Sequence, residues 1–312
     1  MLRIVLTRLF DAIPTVLLVL TLVFVSLRLL PGDPALVALG DQATAEQLEL
    51  FREQTGLNAP IWEQYLTFLR DAVTLDFGTS LITGQPVLDT IARNLPYTLE
   101  LTFVAVLLGA LMGIPFGIFA AVRKNKLPDQ SMRVFTLIGY AIPDFYLGAL
   151  LLLFFGLNLG LFPVIGGGEG FLDRLHHVAL PALTLAFVKI AFIGRLTRTA
   201  LLEVLSKEYV RTARAKGAPE RDVLLKHAMR NAMLPVTTGL GLSILATLSG
   251  SVAIELVFNR PGLGEMLMSA IAQRDYPMIQ GGVIVFALFV VVVNTLVDIG
   301  YQIVDPRLRK AA

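Results

Sequence analysis

Six long apolar runs, each carrying few charged residues, constrain this chain more than any other feature. They cover about residues 9–30, 100–122, 132–157, 178–194, 234–257 and 278–304. A bilayer core about 30 Å thick needs roughly 20 apolar residues in a helix, so each run can cross it. Only 16% of the residues are charged, whereas soluble domains carry roughly 25%. The sequence therefore predicts an all-α polytopic protein with six transmembrane helices in one domain, 1–312.

The Lys and Arg residues predict the orientation of these spans. Of 26 such residues, 18 fall in the N-terminal tail, residues 122–133, residues 195–233 and the C-terminal tail, and only six fall in the other three loops. The positive-inside rule then places both termini in the cytoplasm. The first run could instead be a signal peptide, but its apolar stretch is longer than that of a typical signal peptide and no small-residue cleavage site follows it.

The long loop at 31–96, predicted to lie outside the cytoplasm, has helical signals. Thr44 followed by Gln47 fits a capping box that starts a helix, and Gly56 is placed to end it. A second amphipathic stretch begins at Ile61. This loop is either a small cap packed on the spans or a docking face for an extracytoplasmic partner. Its nine acidic residues, against three basic ones, are compatible with docking, and the sequence leaves both interpretations open.

The loop at 195–233, predicted to be cytoplasmic, is too long for a simple turn between two spans. It is rich in helix-forming residues and is interrupted by Gly217 and Pro219, which predicts a helix, a hinge and a second helix that leads into the fifth span. A basic hairpin lying on anionic headgroups is one interpretation. The small residues Ala213 and Ala215 favour another, in which a partner protein approaches closely.

Residues 209–217 read Tyr-Val-Arg-Thr-Ala-Arg-Ala-Lys-Gly, and other motifs follow the same order along the chain. Together they resemble the permease subunits of the dipeptide, oligopeptide and nickel branch of bacterial ABC importers. The signature positions read Arg211-Thr212-Ala213 instead of Glu-Ala-Ala, and the spacing from Gly217 to Pro235 is longer than the generic one; both departures are typical of that branch. The other matching motifs lie at 30–35, 95–101, 162–163, 180–185, 257–264, 274–277 and 305–307.

This resemblance implies a type I ABC importer permease fold in a bacterial inner (plasma) membrane. It also implies three kinds of partner: a second homologous permease, two ABC ATPase subunits and an extracytoplasmic substrate-binding protein. The cargo is expected to be di- or oligopeptides, with glutathione, nickel chelates or sugars as alternatives. The residues expected to couple to the ATPase are Tyr209, Arg211, Thr212, Ala213 and Gly217.

The chain is not expected to be an enzyme. It has no Gly-x-x-x-x-Gly-Lys-Ser/Thr phosphate loop, so ATP hydrolysis is expected on partner chains. No cofactor is expected, and a net charge of +2 gives no reason to expect a nucleic-acid partner. A secondary transporter would show inverted repeats, which we do not find. An intramembrane hydrolase would need a base at depth, but His176, His177 and His227 all fall in loops, and no metal-ligand cluster accompanies them.

Polar residues within the apolar runs are candidates for lining a path across the membrane. Asp144, which follows Pro143, and Asn294 are the two that we select. Three others lie near the ends of spans, where pairing at a helix end or snorkelling explains them: Arg28, Glu100 and Glu255. Lys189 and Asp298 are two further charged residues inside the runs.

Overall fold

The structure is a computed structural model that describes residues 2–29, 34–40 and 43–304. The motif residues at 30–33 and 305–307 and the C-terminal tail lie outside the described residues. The described residues are mostly helical, with an isolated β-bridge between Thr79 and Pro86. In chain order the helices are α1 (Leu2–Leu29), α2 (Pro34–Leu39), α3 (Ala45–Gln54), α4 (Ile61–Thr74), α5 (Val87–Val122), α6 (Leu127–Ala141), α7 (Asp144–Leu151), α8 (Phe171–Leu205), α9 (Glu208–Ala215), α10 (Glu220–Asp222), α11 (Met229–Val257), α12 (Leu263–Gln273) and α13 (Tyr276–Val304).

Two π-helical segments extend these helices. Leu152–Asn158 continues α7, and Val223–Ala228 joins α10 to α11. Among the described residues, four helical stretches are long and apolar enough to cross a membrane: Val87–Val122, Phe171–Leu205, Glu220–Val257 and Tyr276–Val297. The bent pair of α6 and α7, with the π-helical segment that continues α7, is a fifth span if the pair is counted as one. The apolar part of α1, Ile13–Ser26, is shorter than these four stretches. The count of six spans therefore stays a prediction.

The run at 132–157 is not one continuous helix. α6 ends at Ala141, α7 starts at Asp144, and the two segments are bent by 97°. Ile142 and Pro143 between them are extended, with ψ angles of 121° and 135°. Proline disfavours the helical conformation of the residue before it and donates no backbone hydrogen bond, which accounts for a break at this point.

Helix α8 is longer than the predicted fourth span. It contains 35 residues and continues through 195–205, which the sequence assigns to the cytoplasmic loop. A helix of this length is about 52 Å long, well beyond the roughly 30 Å of a bilayer core. Part of α8 must therefore lie beyond the apolar layer, and the sequence predicts that this part includes its last three turns with Arg195 and Arg198.

Residue contacts divide the chain into two compact units, whereas the sequence predicts a single domain. The first unit consists of residues 1–96 and 261–295. In it, α4 packs on α1: the ring of Phe24 lies 5.2 Å from that of Tyr65, and the Tyr65 hydroxyl is hydrogen-bonded to Thr21 at 2.7 Å. The predicted capping box is confirmed, because the side chains of Thr44 and Gln47 each accept from the other's backbone N–H.

The second unit consists of residues 97–260 and 296–312, and α8 is its central helix, in contact with α6, α7 and α11. Three glycines of α5 at intervals of four residues bring that helix close to α8. A Cβ atom at Gly109 would lie 2.6 Å from the Cβ of Lys189, and one at Gly117 would lie 2.4 Å from the carbonyl oxygen of Gly194. Small residues at this spacing let two membrane helices pack with their backbones nearly in contact.

Candidate functional site

The loop between α8 and α11 is built around the short helix α9. Lys207 precedes it in an extended conformation, and its carbonyl accepts from the N–H of Val210 at 3.1 Å. Glu208 lies in the first turn and Arg214 in the last, which complements the helix dipole. Val210 is the one buried side chain of α9. The helix therefore buries one side chain and presents most of its surface outward.

Gly217 ends this helix in a left-handed conformation with φ of +81°. Its N–H donates to the carbonyl of Arg214 at 2.9 Å, and the N–H of Ala218 donates to the carbonyl of Ala213 at 3.2 Å. These two bonds form a Schellman motif, which reverses the chain at the end of a helix. No atom lies within 4 Å of a Cβ placed at 217, so glycine is required here for its backbone angles and not for space.

Two side-chain contacts hold α9 to the segment that follows it. Arg214 donates to both carboxylate oxygens of Glu220, at 3.1 and 2.6 Å, across the glycine turn. This bidentate bond raises the pKa of Arg214, because the carboxylate favours the charged guanidinium. The side-chain amide of Asn231, in the first turn of α11, donates to the Tyr209 hydroxyl at 2.8 Å. The loop is therefore a folded hairpin whose two arms are joined by side chains.

The structure places all five predicted coupling residues on this hairpin. Tyr209, Arg211, Thr212 and Gly217 are exposed, whereas Ala213 is half-buried. Arg211 pairs with Glu208 at 3.0 Å, and the Thr212 hydroxyl donates to the Glu208 carbonyl at 3.0 Å. The observed order of helix, glycine turn and second helix agrees with the sequence prediction.

A buried ion pair supports this region, and the sequence analysis missed it. The Asp129 carboxylate is fully buried in the first turn of α6 and accepts from Nε and Nη2 of Arg198 on α8, the latter at 3.0 Å. It also accepts from Arg133 at 3.1 Å and from the backbone N–H of Asn125 at 2.8 Å. The clue in the sequence is Asp129 directly after Pro128 at a helix start, but nothing local identifies Arg198, which lies 69 residues away.

An apolar cluster packs the ends of α5 and α8 against the π-helical segment Val223–Ala228 and the start of α11. Its buried residues are Ala121, Ala200, Leu201, Ala228 and Ala232. Because alanines dominate this cluster, the helices can approach closely at the base of the hairpin. The α9 hairpin therefore extends from helices that are packed together by this cluster.

The two predicted path-lining residues lie in different units. Asp144 is half-buried at the start of α7, where its Oδ1 accepts from the N–H of Phe145 at 2.9 Å. Asn294 is exposed on α13 in the first unit. The side chain of Asp298 is outside the described part.

The three charged residues near the span ends each have a side-chain partner, which is a charged residue only for Glu100. Glu100 accepts from Arg174 at 3.2 Å and from the fully buried Arg260 at 2.9 Å. Glu255 is also fully buried and accepts from Thr98 at 2.7 Å. Arg28 donates to Gln64 and lies over the ring of Phe24.

Comparison with known proteins agrees with this geometry. The family model described as "Binding-protein-dependent transport system inner membrane component" matches residues 113–310, and the corresponding N-terminal family matches residues 1–102. The chain is 41% identical over 309 residues to the glutathione transport system permease protein GsiC of Escherichia coli K12 and to that of Shigella flexneri serotype 5b, covering 99% of each chain.

Solved structures of ABC importers share the fold. An inward-facing MetNI methionine ABC transporter matches with a TM-score of 0.56 at 18% identity, over 69% of this chain and 96% of that chain. An amino acid ABC transporter matches with a TM-score of 0.54 at 17% identity, over 69% and 94%. The type I importer permease fold is therefore confirmed. The chain belongs to the inner-membrane permease family of binding-protein-dependent transport systems, as a permease subunit of an ABC importer.

Proposed function

We propose that this chain forms one half of the translocation path of an ATP-driven importer for short peptides, including glutathione. The observation that carries the proposal is the full-length similarity to GsiC, a permease of a glutathione transport system. Glutathione is itself a tripeptide, so a glutathione carrier and a di- or oligopeptide carrier recognise the same kind of molecule. Nickel chelates and sugars are the alternative cargoes.

The second part of the proposal is that α9 docks on an ABC ATPase subunit. A permease without a nucleotide site must be driven by contact with the subunit that hydrolyses ATP. A short, exposed helix is suited to transmit a movement of that subunit to the spans. Tyr209, Arg211, Thr212 and Gly217 offer exposed surface, and the half-buried Ala213 lies at the helix end. Because Asn231 and Glu220 tie α9 to the segment leading into α11, displacement of α9 would move that 29-residue helix with it.

The complete transporter would contain a second homologous permease, two ATPase subunits and an extracytoplasmic substrate-binding protein. ATP hydrolysis would take place on the ATPase subunits. The distribution of Lys and Arg supports cytoplasmic termini, with the α9 hairpin on the same side. Asp144 and Asn294 are proposed to line the path.

Reconstitution tests this function. The chain would be purified with the permease and ATPases encoded beside it and incorporated into vesicles with the cognate binding protein. Uptake of labelled trialanine, glutathione, a nickel chelate and a disaccharide would then be measured with and without ATP. We expect ATP-dependent uptake of trialanine or glutathione and none of the other two. Uptake of the chelate or the sugar alone would refute the peptide assignment while leaving the importer family intact.

A further inference from the structure

Helix α4, in the loop predicted to lie outside the cytoplasm, presents large apolar side chains to the outside of the protein. Trp62, Leu66 and Val73 are 59%, 56% and 83% exposed. At 3.6 residues per turn these three side chains fall within an arc of about 40°, so they form one stripe along the helix. A contiguous apolar surface of this kind is typical of a site that binds another protein or a membrane. We call it the exposed stripe.

The packing of α4 on α1 fixes the level of α4 along the first predicted span. The rings of Tyr65 and Phe68 lie 5.2 and 5.5 Å from that of Phe24, and the Tyr65 hydroxyl is hydrogen-bonded to Thr21. Both α1 residues belong to the apolar part of that helix, Ile13–Ser26. Thr21 lies about 8 Å before the end of this apolar part, at 1.5 Å per residue. Helix α4 therefore joins α1 beside apolar residues and not beyond them.

Helix α1 exposes apolar surface of its own at the same level. Leu18, Leu22 and Val25 are exposed, and their spacing of four and three residues places them on one side of the helix. On a transmembrane helix, such a side faces the acyl chains of the lipid. Lipid is therefore the expected surroundings at the level where α4 is attached.

The remaining sides of α4 are suited to a helix that lies on a bilayer beside a span. The side that contacts α1 is rotated by about 100° from the exposed stripe. The third side is polar: the Gln64 amide donates to the carbonyls of Leu57 and Ala59 at 2.9 and 2.7 Å, and Thr74 is exposed. Helix α4 thus has one side for the neighbouring span, an apolar side for lipid and a polar side for water.

We infer that the exposed stripe of α4 binds the lipid bilayer, in the leaflet that faces away from the cytoplasm. Trp62 lies at the level of the headgroups, where tryptophan is enriched, and Leu66 and Val73 reach the start of the acyl region. The attachment about 8 Å inside the apolar part of α1 agrees with the 5–10 Å to which amphipathic helices are buried. This contact anchors the 31–96 loop to the membrane. The inference goes beyond the proposed function and holds for any cargo.

The intrinsic fluorescence of the chain tests this contact, because Trp62 is its only tryptophan. The full-length chain would be reconstituted in phosphatidylcholine vesicles whose lipids carry bromine, a contact quencher, either near the headgroups or at the ends of the acyl chains. We expect emission at shorter wavelength than that of tryptophan in water, and a larger loss of fluorescence with bromine near the headgroups. Iodide in the water should quench little. Emission typical of tryptophan in water, quenched by iodide and not by brominated lipid, would refute the inference.

Moving the tryptophan by one residue provides a matched control. Trp62→Phe combined with Val73→Trp keeps the fluorophore on the exposed stripe, whereas Trp62→Phe combined with Thr74→Trp places it on the polar side. Val73 and Thr74 are neighbours and both are exposed, so the two variants differ in the side of the helix that they sample. The first variant should be quenched by brominated lipid and the second by iodide. Equal quenching of both by brominated lipid would contradict a one-sided contact.

The assembled transporter distinguishes lipid from a protein that covers the stripe. Because the chain contains no cysteine, Val73→Cys or Thr74→Cys gives a unique site for a nitroxide label, in a complex whose partners have had their cysteines replaced. With the binding protein present, the label at 73 should collide more with oxygen, which dissolves in lipid, than with a water-soluble nickel chelate. The label at 74 should show the reverse. Protection of position 73 from both reagents would mean that a protein covers the stripe, and the inference would be wrong.

Discussion

Two arginines bind the same buried carboxylate, and the structure predicts that only one of them is essential for stability. Asp129 is fully buried and accepts from both Arg198 and Arg133. The side chain of Arg198 is 16% exposed, whereas that of Arg133 is 55% exposed. The matched changes are Arg198→Gln and Arg133→Gln, which each remove one positive charge from the same partner.

The expected magnitudes follow from this difference in burial. Removing the buried partner leaves a desolvated carboxylate without its main counter-charge, which costs about 3–5 kcal/mol of unfolding free energy. Removing an exposed partner typically costs about 0–1 kcal/mol, because water replaces it. Arg198→Gln should therefore destabilise the protein far more than Arg133→Gln.

An SDS titration of the purified chain in mixed micelles, followed by the loss of helical circular dichroism, measures both changes. Asp129→Asn in the Arg198→Gln background should recover part of the loss, since it removes the buried charge that has lost its main partner and keeps an acceptor for the backbone N–H of Asn125. Equal destabilisation by the two arginine variants, or a larger effect of Arg133→Gln, would refute the reasoning.

Three further predictions concern packing, coupling and topology. Gly117→Leu should abolish stable folding, because even a Cβ would lie 2.4 Å from the Gly194 carbonyl oxygen. The measurement is loss of the monodisperse peak in size-exclusion chromatography, and an unchanged peak would contradict the close α5–α8 packing. Gly217→Pro, which cannot adopt φ of +81° and lacks the N–H that bonds Arg214, should leave the chain in the membrane but abolish ATPase co-purification, and retained co-purification would argue against docking at α9. A reporter fused after Ala312 should be active only in the cytoplasm, and extracytoplasmic activity would overturn the topology.

Local signals in the sequence predict several features of the fold correctly. The capping box of Thr44 and Gln47 and the glycine turn at Gly217 both depend on residues a few positions apart, so the chain's own chemistry reveals them. The same holds for the apolar stretches that form the long helices. The family motif is the reason to propose ATPase docking for the α9 hairpin, because local chemistry alone leaves open whether it contacts a protein or lipid.

Features that depend on distant residues are not visible in the sequence. Asp129 and Arg198 pair across 69 positions, and Glu100 and Arg260 across 160. The effect of a proline is equally hard to predict from the sequence. Pro143 lies at a break between two helices, whereas Pro181 and Pro235 lie inside continuous helices. The residue type alone therefore does not predict which of these prolines ends a helix.

Site-directed cross-linking tests the central proposal, ATPase coupling through α9, most directly. The chain contains no cysteine, so a cysteine introduced in place of the exposed Thr212 is unique. In the assembled transporter, a short bifunctional reagent should join this cysteine to an ATPase chain that carries a cysteine in its permease-facing cleft. A cysteine at the exposed Glu169, predicted to lie outside the cytoplasm, should not react with the ATPase. Failure of the Thr212 position to cross-link in an intact complex, or cross-linking from Glu169 instead, would contradict the account.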